Sequence, residues 1–377
     1  MNIYIDENIP FATEFFADYG NLHFFSGRSL SATDVKNADV LLVRSITKVN
    51  EQLLHLNTRI KFVGTATIGM DHIDQDYLEQ RGITFSSAPG CNKVSVAEYV
   101  LSSLLVLSEK QQFELKNKSV AIVGAGNTGS AVFQRLNALG MNCKLYDPPL
   151  LLTGDDRDFC SFKEVLKADV ISLHVPKVVQ GEFPTVHLFD QGVLSKLTKN
   201  QILINASRGD VIDNDALLEL CQTRKMPTLV LDVWENEPNT NTKLLPFVEI
   251  ATPHIAGYSL EGKTRGTEIL YQQFCQLFSL QVVHGINSFL PVPAIEKVNI
   301  SSELDQTLLK SLIHLIYDVR RDDILFRTGI DQENGFDMMR KNYKERRELS
   351  SLLIQSKKPQ QPILTELGFT VSTENTQ

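Results

Sequence analysis

The sequence lacks several features that would each define a class of protein. Its 5 cysteines are scattered and form no C-x-x-C pair, which argues against a disulfide framework or zinc knuckle and for free thiols in a reducing compartment. No apolar run reaches the roughly 20 residues of a membrane-spanning helix. The first ten residues include Asp6 and Glu7 and show no basic segment followed by an apolar one. We therefore expect no secretory signal, no membrane partner and a cytoplasmic location.

An excess of basic charge is also absent. Lys and Arg number 37 against 45 Asp and Glu, which leaves a formal net charge of −8. Nucleic-acid phosphates require a basic face, so we expect no nucleic-acid partner, although a local basic pocket for a small anion is compatible with this charge. The 42% hydrophobic and 22% charged residues are typical of globular proteins, and 377 residues suffice for two or three domains.

Apolar strand patterns alternate with helical patterns in two successive series. The first series has strand patterns at residues 3–6, 40–43 and 60–64. A long apolar helical pattern follows at 95–110. The strand patterns of the second series lie at 120–123, 143–146, 170–174, 202–205 and 229–233. Such alternation is typical of α/β proteins built on parallel sheets.

A glycine-rich loop follows the first strand pattern of the second series. It reads Gly124, Ala125, Gly126, Asn127, Thr128, Gly129. In the G-x-G-x-x-G motif the first glycine permits a tight turn, the second lets the backbone approach a pyrophosphate, and the third lets the helix pack closely on the strand. The helix that begins near Asn127 and Thr128 would direct its free N–H groups at the phosphates. The loop therefore indicates a dinucleotide site.

Asp147 supplies the second part of this motif. It ends the next strand pattern, close to the spacing of about 20 residues expected for the acid that binds the ribose. A carboxylate there accepts a hydrogen bond from the 2′-hydroxyl and repels a 2′-phosphate, so the predicted cofactor is NAD. The alternative is a glycine-rich turn with an exposed aspartate. This alternative would not account for the strand pattern before the loop and the helical pattern after it.

Polar residues follow three later strand patterns. The carboxyl ends of parallel strands are where ligand-binding groups lie in such sheets. Arg208 follows the strand at 202–205, Glu237 follows the strand at 229–233, and His254 comes in a Thr-Pro-His turn. An imidazole is suited to acid/base work near neutral pH, a carboxylate can orient it, and a guanidinium can grip a substrate carboxylate in a fork. Each residue alone is more often a surface or loop residue. Glu235 is an alternative carboxylate to Glu237.

In order and spacing, these segments resemble the signature of the D-2-hydroxyacid dehydrogenase family over roughly the first three-quarters of the chain. The resemblance implies that Arg208, Glu237 and His254 are catalytic. It also implies that Asp232 and Gly257 contact the cofactor. The implied fold is a Rossmann dinucleotide-binding domain at 95–254, inserted in a flavodoxin-like α/β substrate domain formed by 1–94 and 255–287. The implied activity is NAD-dependent oxidation of a small 2-hydroxy acid.

Further segments resemble one branch of this family. They are Asp-Glu-Asn-Ile-Pro at 6–10, Val-Arg-Ser-Ile-Thr-Lys at 43–48, Gly-Thr-Ala-Thr-Ile-Gly at 64–69 and His-Ile-Ala-Gly-Tyr-Ser at 254–259. The resemblance implies a phosphorylated hydroxy acid as substrate, contacted by Ser45, Thr67 and Tyr258. Arg44 is either a phosphate-binding cation or part of a hinge ion pair. Two alternatives stay open: another hydroxyacid dehydrogenase, such as one acting on 3-phosphoglycerate, and a non-catalytic NAD-sensing protein.

The last part of the chain, residues 288–377, is expected to form a separate module. The resemblance implies a small α+β dimerisation domain and therefore a homodimer. A basic cluster occupies residues 340–347, and such a run is usually a solvated helix face. Alternatively, Arg346 or Arg347 reaches across a dimer toward the substrate cleft of the partner.

A metal site is not expected. His72 lies between Asp71 and Asp74, which superficially resembles a set of metal ligands. Adjacent residues on one short segment cannot surround a metal ion, however, because tetrahedral coordination requires ligands that converge from different directions. We therefore predict no metal among the groups that carry the function.

Overall fold

The computed structural model describes residues 1–223 and 226–373. The strands in chain order are β1 (Asn2–Asp6), β2 (Asn21–Phe25), β3 (Val40–Val43), β4 (Phe62–Thr65), β5 (Thr84–Ser86), β6 (Ser119–Val123), β7 (Asn142–Tyr146), β8 (Val170–Leu173), β9 (Ile202–Asn205), β10 (Thr228–Leu231), β11 (Val248–Ala251), β12 (Lys297–Asn299), β13 (Leu353–Ser356) and β14 (Thr370–Thr373). The helices are α1 (Ala12–Phe16), α2 (Ala32–Val35), α3 (Glu51–Leu54), α4 (Gln75–Gln80), α5 (Lys93–Gln111), α6 (Asn127–Ala138), α7 (Pro148–Leu152), α8 (Phe162–Val165), α9 (Gln191–Leu194), α10 (Asn214–Thr223), α11 (Leu260–Leu277), α12 (Gln306–Ile316), α13 (Arg320–Gly329), α14 (Gly335–Lys341) and α15 (Gln361–Leu367).

The chain divides into two compact units. Unit 1 comprises Met1–Asn92 and Ser259–Val292, and unit 2 comprises Lys93–Tyr258 and Pro293–Gln377, whose last four residues lie outside the described part. The chain thus leaves the first unit before α5 and returns to it at Ser259. The three-domain division inferred from the sequence, with boundaries at 94, 254 and 287, stays a prediction.

Unit 1 contains a five-stranded sheet in the order β2-β1-β3-β4-β5, and every strand pair is parallel. This is the strand order of flavodoxin-like folds. Strands β3 and β4 are buried along their whole length, because helices cover both faces of a parallel sheet. Side chains alternate between the faces: Val40 and Leu42 pack with α11, whereas Leu41 and Val43 pack on the opposite side.

Unit 2 contains a six-stranded parallel sheet in the order β11-β10-β9-β8-β6-β7. A Rossmann sheet normally has a further strand beyond β7. Here that position is occupied by one parallel bridge between Leu145 and Phe159. The strand order reverses between β6 and β8, and ligands of such sheets bind at that reversal, outside the carboxyl ends of the strands. The parallel α/β fold predicted from the sequence is confirmed.

The C-terminal segment of unit 2 combines helices α12–α15 with a small parallel sheet, β12-β13-β14. It shares one hydrophobic core with α5 and α6, in which Leu312 and Leu364 pack with residues of the nucleotide-binding part. Among the described residues, no helix is both long and apolar enough to cross a membrane.

Candidate active site

The glycine loop connects β6 to α6 at the point where the strand order reverses. Gly124 has a φ of 92°, a left-handed conformation that favours glycine, and a Cβ there would approach the His174 carbonyl carbon to 2.7 Å. At Gly129 a Cβ would collide with the Gly124 carbonyl oxygen, so this glycine allows α6 to pack against the loop. A Cβ on Gly126, the N-cap of α6, would meet no atom within 4 Å. The loop backbone is therefore uncovered at Gly126, beside the N-terminus of α6, and a helix N-terminus favours an anion.

Asp147 lies at the end of β7, directly beside this loop. Its Oδ2 accepts a hydrogen bond from the Ala125 N–H at 2.8 Å, and its Oδ1 accepts one from the Leu150 N–H at 3.2 Å as the N-cap of α7. The carboxylate thus holds the loop between the first two glycines while retaining lone pairs for a further donor. Its predicted contact with a ribose hydroxyl stays a prediction.

Glu237 and His254 form a close pair. Glu237 Oε2 lies 2.7 Å from His254 Nδ1, and Glu237 Oε1 accepts a hydrogen bond from the Trp234 N–H at 2.9 Å. Burial acts to raise the pKa of Glu237, but His254, the Trp234 amide and Arg340 together hold this pKa below its ordinary value. The carboxylate therefore stays charged and fixes the ring so that Nε2 is the nitrogen left for a substrate.

The turn that carries His254 is organised by Asp232, which is 1% exposed. The Asp232 carboxylate accepts hydrogen bonds from the Thr252 hydroxyl at 2.6 Å and from the amides of Ile255 at 2.8 Å and Ala256 at 2.9 Å. The His254 N–H donates to the Asp232 carbonyl oxygen at 2.6 Å, which holds His254 at a φ of 57°. Asp232 therefore positions the histidine, a role that the sequence patterns do not indicate.

Arg208 follows β9, the neighbour of β10 in the sheet. It is half-buried, and its Nη1 donates to the Ser207 carbonyl oxygen at 2.8 Å. The next residue, Gly209, lies so close to the Trp234 backbone that a Cβ would collide with it. The Arg208 loop and the loop that ends in Glu237 thus pack directly together. Strands β9, β10 and β11 are consecutive in the sheet, so all three predicted catalytic residues follow neighbouring strand ends.

The predicted substrate residues of unit 1 lie on two loops. Arg44 and Ser45 follow β3, and Thr67 follows β4. Ser45 is exposed and Arg44 is half-buried. The Thr67 hydroxyl lies 2.8 Å from the Thr65 hydroxyl and donates to the Gly69 carbonyl oxygen at 3.1 Å. These loops occupy the carboxyl ends of neighbouring parallel strands, where a ligand of this sheet is expected.

Tyr258 and Gly257, in unit 2, follow the histidine turn and are half-buried. Arg340, from the end of α14, donates from Nε to the Tyr258 hydroxyl oxygen at 3.2 Å. Arg340 also acts electrostatically on Glu237. Neither Arg340 nor its contact was singled out from the sequence, where it is one cation of a basic cluster. Its position depends on packing between segments that lie 82 residues apart.

Both sequence interpretations of the 340–347 cluster are wrong for Arg346. Helix α14 ends at Lys341, so the cluster is not one continuous helix face. The Arg346 guanidinium is buried in its own chain, where it donates to the carbonyl oxygens of Ser95 at 2.6 Å and Ala256 at 3.1 Å. It also lies 3.6 Å from the centre of the Tyr317 ring. A side chain held in this way cannot reach a partner subunit.

Glu235, the alternative carboxylate, belongs to a different cluster. His187 Nε2 lies 2.6 Å from Glu235 Oε1, and His187 Nδ1 lies 3.7 Å from Asp213 Oδ2. The Glu235 hydrogen bond, followed by the charges of both carboxylates, raises the pKa of His187 against the effect of burial. One possible ligand atom from each of His187, Asp213 and Glu235 lies within 4.8 Å of the other two, a spacing that is compatible with a metal ion. The raised pKa of His187 fits an imidazolium between two carboxylates, and the expectation that no metal takes part in the function stays a prediction.

Two family models match parts of the chain. Residues 103–256 match the D-isomer specific 2-hydroxyacid dehydrogenase, NAD binding domain, and residues 289–368 match a domain of unknown function. The D-lactate dehydrogenase of Aquifex aeolicus, solved with NAD and lactic acid, superposes with a TM-score of 0.61 at 28% identity over 74% of this chain and 96% of that one. The fold, the glycine loop and these matches define an NAD-dependent dehydrogenase of the D-2-hydroxyacid class.

Full-length relatives identify the family within this class of dehydrogenases. The erythronate-4-phosphate dehydrogenase of Psychromonas ingrahamii is 67% identical over 100% of this chain and 98% of its own length. That of Tolumonas auensis is 52% identical over 99% of this chain and 100% of its own length. The chain belongs to the erythronate-4-phosphate dehydrogenase family. The cofactor-bound 3-phosphoglycerate dehydrogenase of Entamoeba histolytica, at 24% identity and a TM-score of 0.62 over 74% of this chain and 96% of that one, shares the fold. The family resemblance and the NAD cofactor inferred from the sequence are confirmed.

Proposed function

We propose that the protein oxidises 4-phospho-D-erythronate to 2-oxo-3-hydroxy-4-phosphobutanoate with NAD, as a step of pyridoxal 5′-phosphate biosynthesis. The names of the full-length relatives support the choice of substrate. The observation that carries the chemistry is the 2.7 Å contact between His254 Nδ1 and Glu237 Oε2. This contact leaves the opposite ring nitrogen for the substrate hydroxyl.

In the proposed reaction, His254 Nε2 accepts the proton of the C2 hydroxyl while the C2 hydride leaves the substrate. Bound NAD supplies the hydride acceptor. Glu237 favours the imidazolium that forms, because a carboxylate beside the ring offsets the new positive charge. Arg208 is proposed to hold the substrate carboxylate with its guanidinium fork, which fixes C2 relative to the acceptor. The reverse reaction uses the same groups, with His254 as the acid.

The remaining predicted residues are assigned to binding. We propose that Gly124, Gly126, Asn127, Thr128 and Gly129 bind the pyrophosphate, that Asp147 binds the ribose, and that Asp232 and Gly257 border the nicotinamide. Ser45, Thr67 and Tyr258 are proposed to contact the substrate, with Arg44 as a cation for its phosphate. If Arg44→Ala leaves the KM for the substrate unchanged, the role of Arg44 as a phosphate ligand is wrong.

The substrate assignment is tested by NADH formation from 4-phosphoerythronate and from 3-phosphoglycerate, each assayed with NAD. We expect a kcat/KM at least about 100-fold higher for 4-phosphoerythronate, a difference within the range that polar recognition of a substrate provides. The His254→Ala variant is the control and should lose turnover with both substrates. Preference for 3-phosphoglycerate would favour the alternative dehydrogenase, and bound NAD without turnover of any hydroxy acid would favour the sensor.

We also propose that the protein works in the cytoplasm as a homodimer formed through the C-terminal segment. Its five cysteines are free, as expected in a reducing compartment. Large apolar side chains of the C-terminal helices are exposed in the single chain, including Ile324 at 60% and Leu325 at 50%. Such side chains are typical of a surface that a partner covers. Light scattering after size-exclusion chromatography tests this, and a monomeric mass for the wild type would contradict it.

A further inference from the structure

Arg340 differs from three other arginines of unit 2 in its electrostatic partners. Arg157, Arg320 and Arg327 each pair with an aspartate at 2.6 to 2.9 Å. Arg340 instead donates its Nε–H to the uncharged Tyr258 hydroxyl at 3.2 Å. In the part of the chain that the structure describes, no carboxylate oxygen lies within ion-pair distance of this guanidinium. A guanidinium without a direct ion pair retains N–H groups that a ligand anion can accept.

The surroundings of Arg340 hold it in place and leave it reachable. Its guanidinium carbon lies 5.8 Å from the centre of the Tyr258 ring and 5.7 Å from that of Phe336, within the range of cation–π contacts. The residue is only half-buried. Neither of its terminal nitrogens, Nη1 and Nη2, is a buried atom that lacks a hydrogen-bond partner. Burial acts to lower the pKa of Arg340, but Tyr258 and Glu237 raise it, so the side chain remains a cation.

The site also lies close to the chemistry within unit 2. Tyr258 is four residues after His254 in the same turn, and its N–H donates to the Ile255 carbonyl oxygen at 2.8 Å. Glu237, the partner of His254, is near enough to Arg340 for each charge to act on the other. An anion bound by Arg340 would therefore belong to a molecule whose other end lies beside the histidine.

We propose that Arg340, with Tyr258 beside it, is a ligand of the substrate phosphate besides Arg44 and so contributes to the preference of the enzyme for a phosphorylated hydroxy acid. This inference rests on the proposed function, since it assigns a ligand to the remote end of the same substrate. The guanidinium has four N–H groups besides the Nε–H that Tyr258 accepts, and a phosphate oxygen is a stronger acceptor than water. The C-terminal segment thereby contributes a substrate ligand from its own chain.

The decisive comparison is between 4-phosphoerythronate and erythronate, which lacks the phosphate. For Arg340→Gln we expect the KM for 4-phosphoerythronate to rise on the order of 10- to 100-fold, the usual effect of losing a charge-assisted contact. The kcat/KM for erythronate should change by less than about 3-fold. Arg340→Lys, which keeps the charge and loses the fork, should be intermediate. Lys341→Gln, an exposed neighbour on the same helix, is the matched control.

Two results would overturn the proposal. Equal losses for both substrates would show that Arg340 acts through Tyr258 or Glu237 as a positioning residue, and no loss for either would show that it is dispensable. Inorganic phosphate provides a readout that needs no turnover: calorimetric titration of the NADH-loaded protein should show binding to the wild type and at least about 10-fold weaker binding to Arg340→Gln. Equal phosphate affinity in both proteins would refute the site even if 4-phosphoerythronate proves not to be the substrate. An NADH titration monitored by fluorescence checks that each variant is folded.

Discussion

Replacing Glu237 by glutamine should show whether the Glu237 carboxylate acts in catalysis through His254 or only holds its loop in place. The substitution keeps the shape of the side chain and an oxygen that can accept the Trp234 N–H. It removes the charge that lies 2.7 Å from His254 Nδ1. A hydrogen bond to a charged group contributes about 1.5 to 3 kcal/mol, which corresponds to a loss in kcat of roughly 10- to 150-fold. If the amide also stabilises the wrong tautomer of the ring, the loss could reach about 10⁴-fold.

The assay is NADH formation at saturating substrate, with the KM for NAD measured in parallel. The KM for NAD should stay within about 3-fold of the wild type, because none of the contacts of the glycine loop changes. Glu235→Gln is the matched control: it removes a carboxylate from the same loop that also contacts a histidine, His187, at 2.6 Å. We expect this control to keep its kcat within a few-fold. Equal effects of the two substitutions, or full activity of Glu237→Gln, would refute the reasoning.

The Glu237→Gln variant also tests how the stability of the protein depends on pH. Because the pKa of Glu237 is lowered in the folded protein, the charged carboxylate contributes stability above the pKa of the unfolded chain, and this contribution is lost as the pH falls through the folded value. The free energy of unfolding of the wild type should therefore exceed that of Glu237→Gln at neutral pH. This difference should shrink below about pH 4.5, and urea unfolding at a series of pH values measures it.

Three further substitutions test other parts of unit 2. Arg346→Ala should lower the free energy of unfolding in urea by about 3 to 5 kcal/mol, because it removes the buried cation that acts on the buried carboxyl groups of Glu98 and Asp322, whereas the exposed Lys344→Ala should have little effect. Burial, followed by the charge of Glu348, raises the pKa of Glu98 from 4.5 to about 8, so the folded protein keeps a proton that the unfolded chain loses, and the free energy of unfolding falls as the pH rises between these values. Glu98→Gln, which can still accept the Leu349 N–H, should remove that loss, and an unchanged pH profile of the melting temperature would contradict this account. Asp147→Asn keeps an acceptor for the glycine loop but removes the charge that repels a 2′-phosphate. The preference for NAD over NADP, measured as a ratio of kcat/KM values, should therefore fall at least about 10-fold.

The features that could be predicted from the sequence are those in which local backbone geometry requires particular residue types. Gly124 is needed for a left-handed conformation and Gly129 for close packing of the helix on the strand. The loop can therefore be recognised from its own sequence, without knowledge of the rest of the fold. Glu237 and His254 were found because their spacing and neighbours match a family pattern, and the structure brings their side chains together. The parallel strands were predictable because burial on both faces produces continuous apolar runs.

The features that could not be predicted depend on contacts between distant segments. A basic run usually signals solvent exposure, and only the packing of the C-terminal segment on α5 buries Arg346 near the carboxyl groups of Glu98 and Asp322. The strand beyond β7 is reduced to a bridge at Phe159, and the polar residues before it produce no apolar strand pattern. Asp232 was predicted as a residue beside the nicotinamide, but its three accepted hydrogen bonds are visible only in the folded turn.

The C-terminal segment takes part in the architecture of the active site, whatever its role in assembly. The turn after His254 is held from one side by Asp232, which accepts the Ala256 N–H, and from the other by Arg346, which donates to the Ala256 carbonyl oxygen. Arg340 adds a contact to Tyr258, two residues further on. Because both arginines belong to the segment beyond Pro293, removing that segment would release the turn and expose buried apolar surface of α5 and α6. Loss of activity on truncation would therefore not by itself demonstrate that dimerisation is required. Point substitutions at exposed residues such as Ile324 and Leu325 address that question without disturbing the turn.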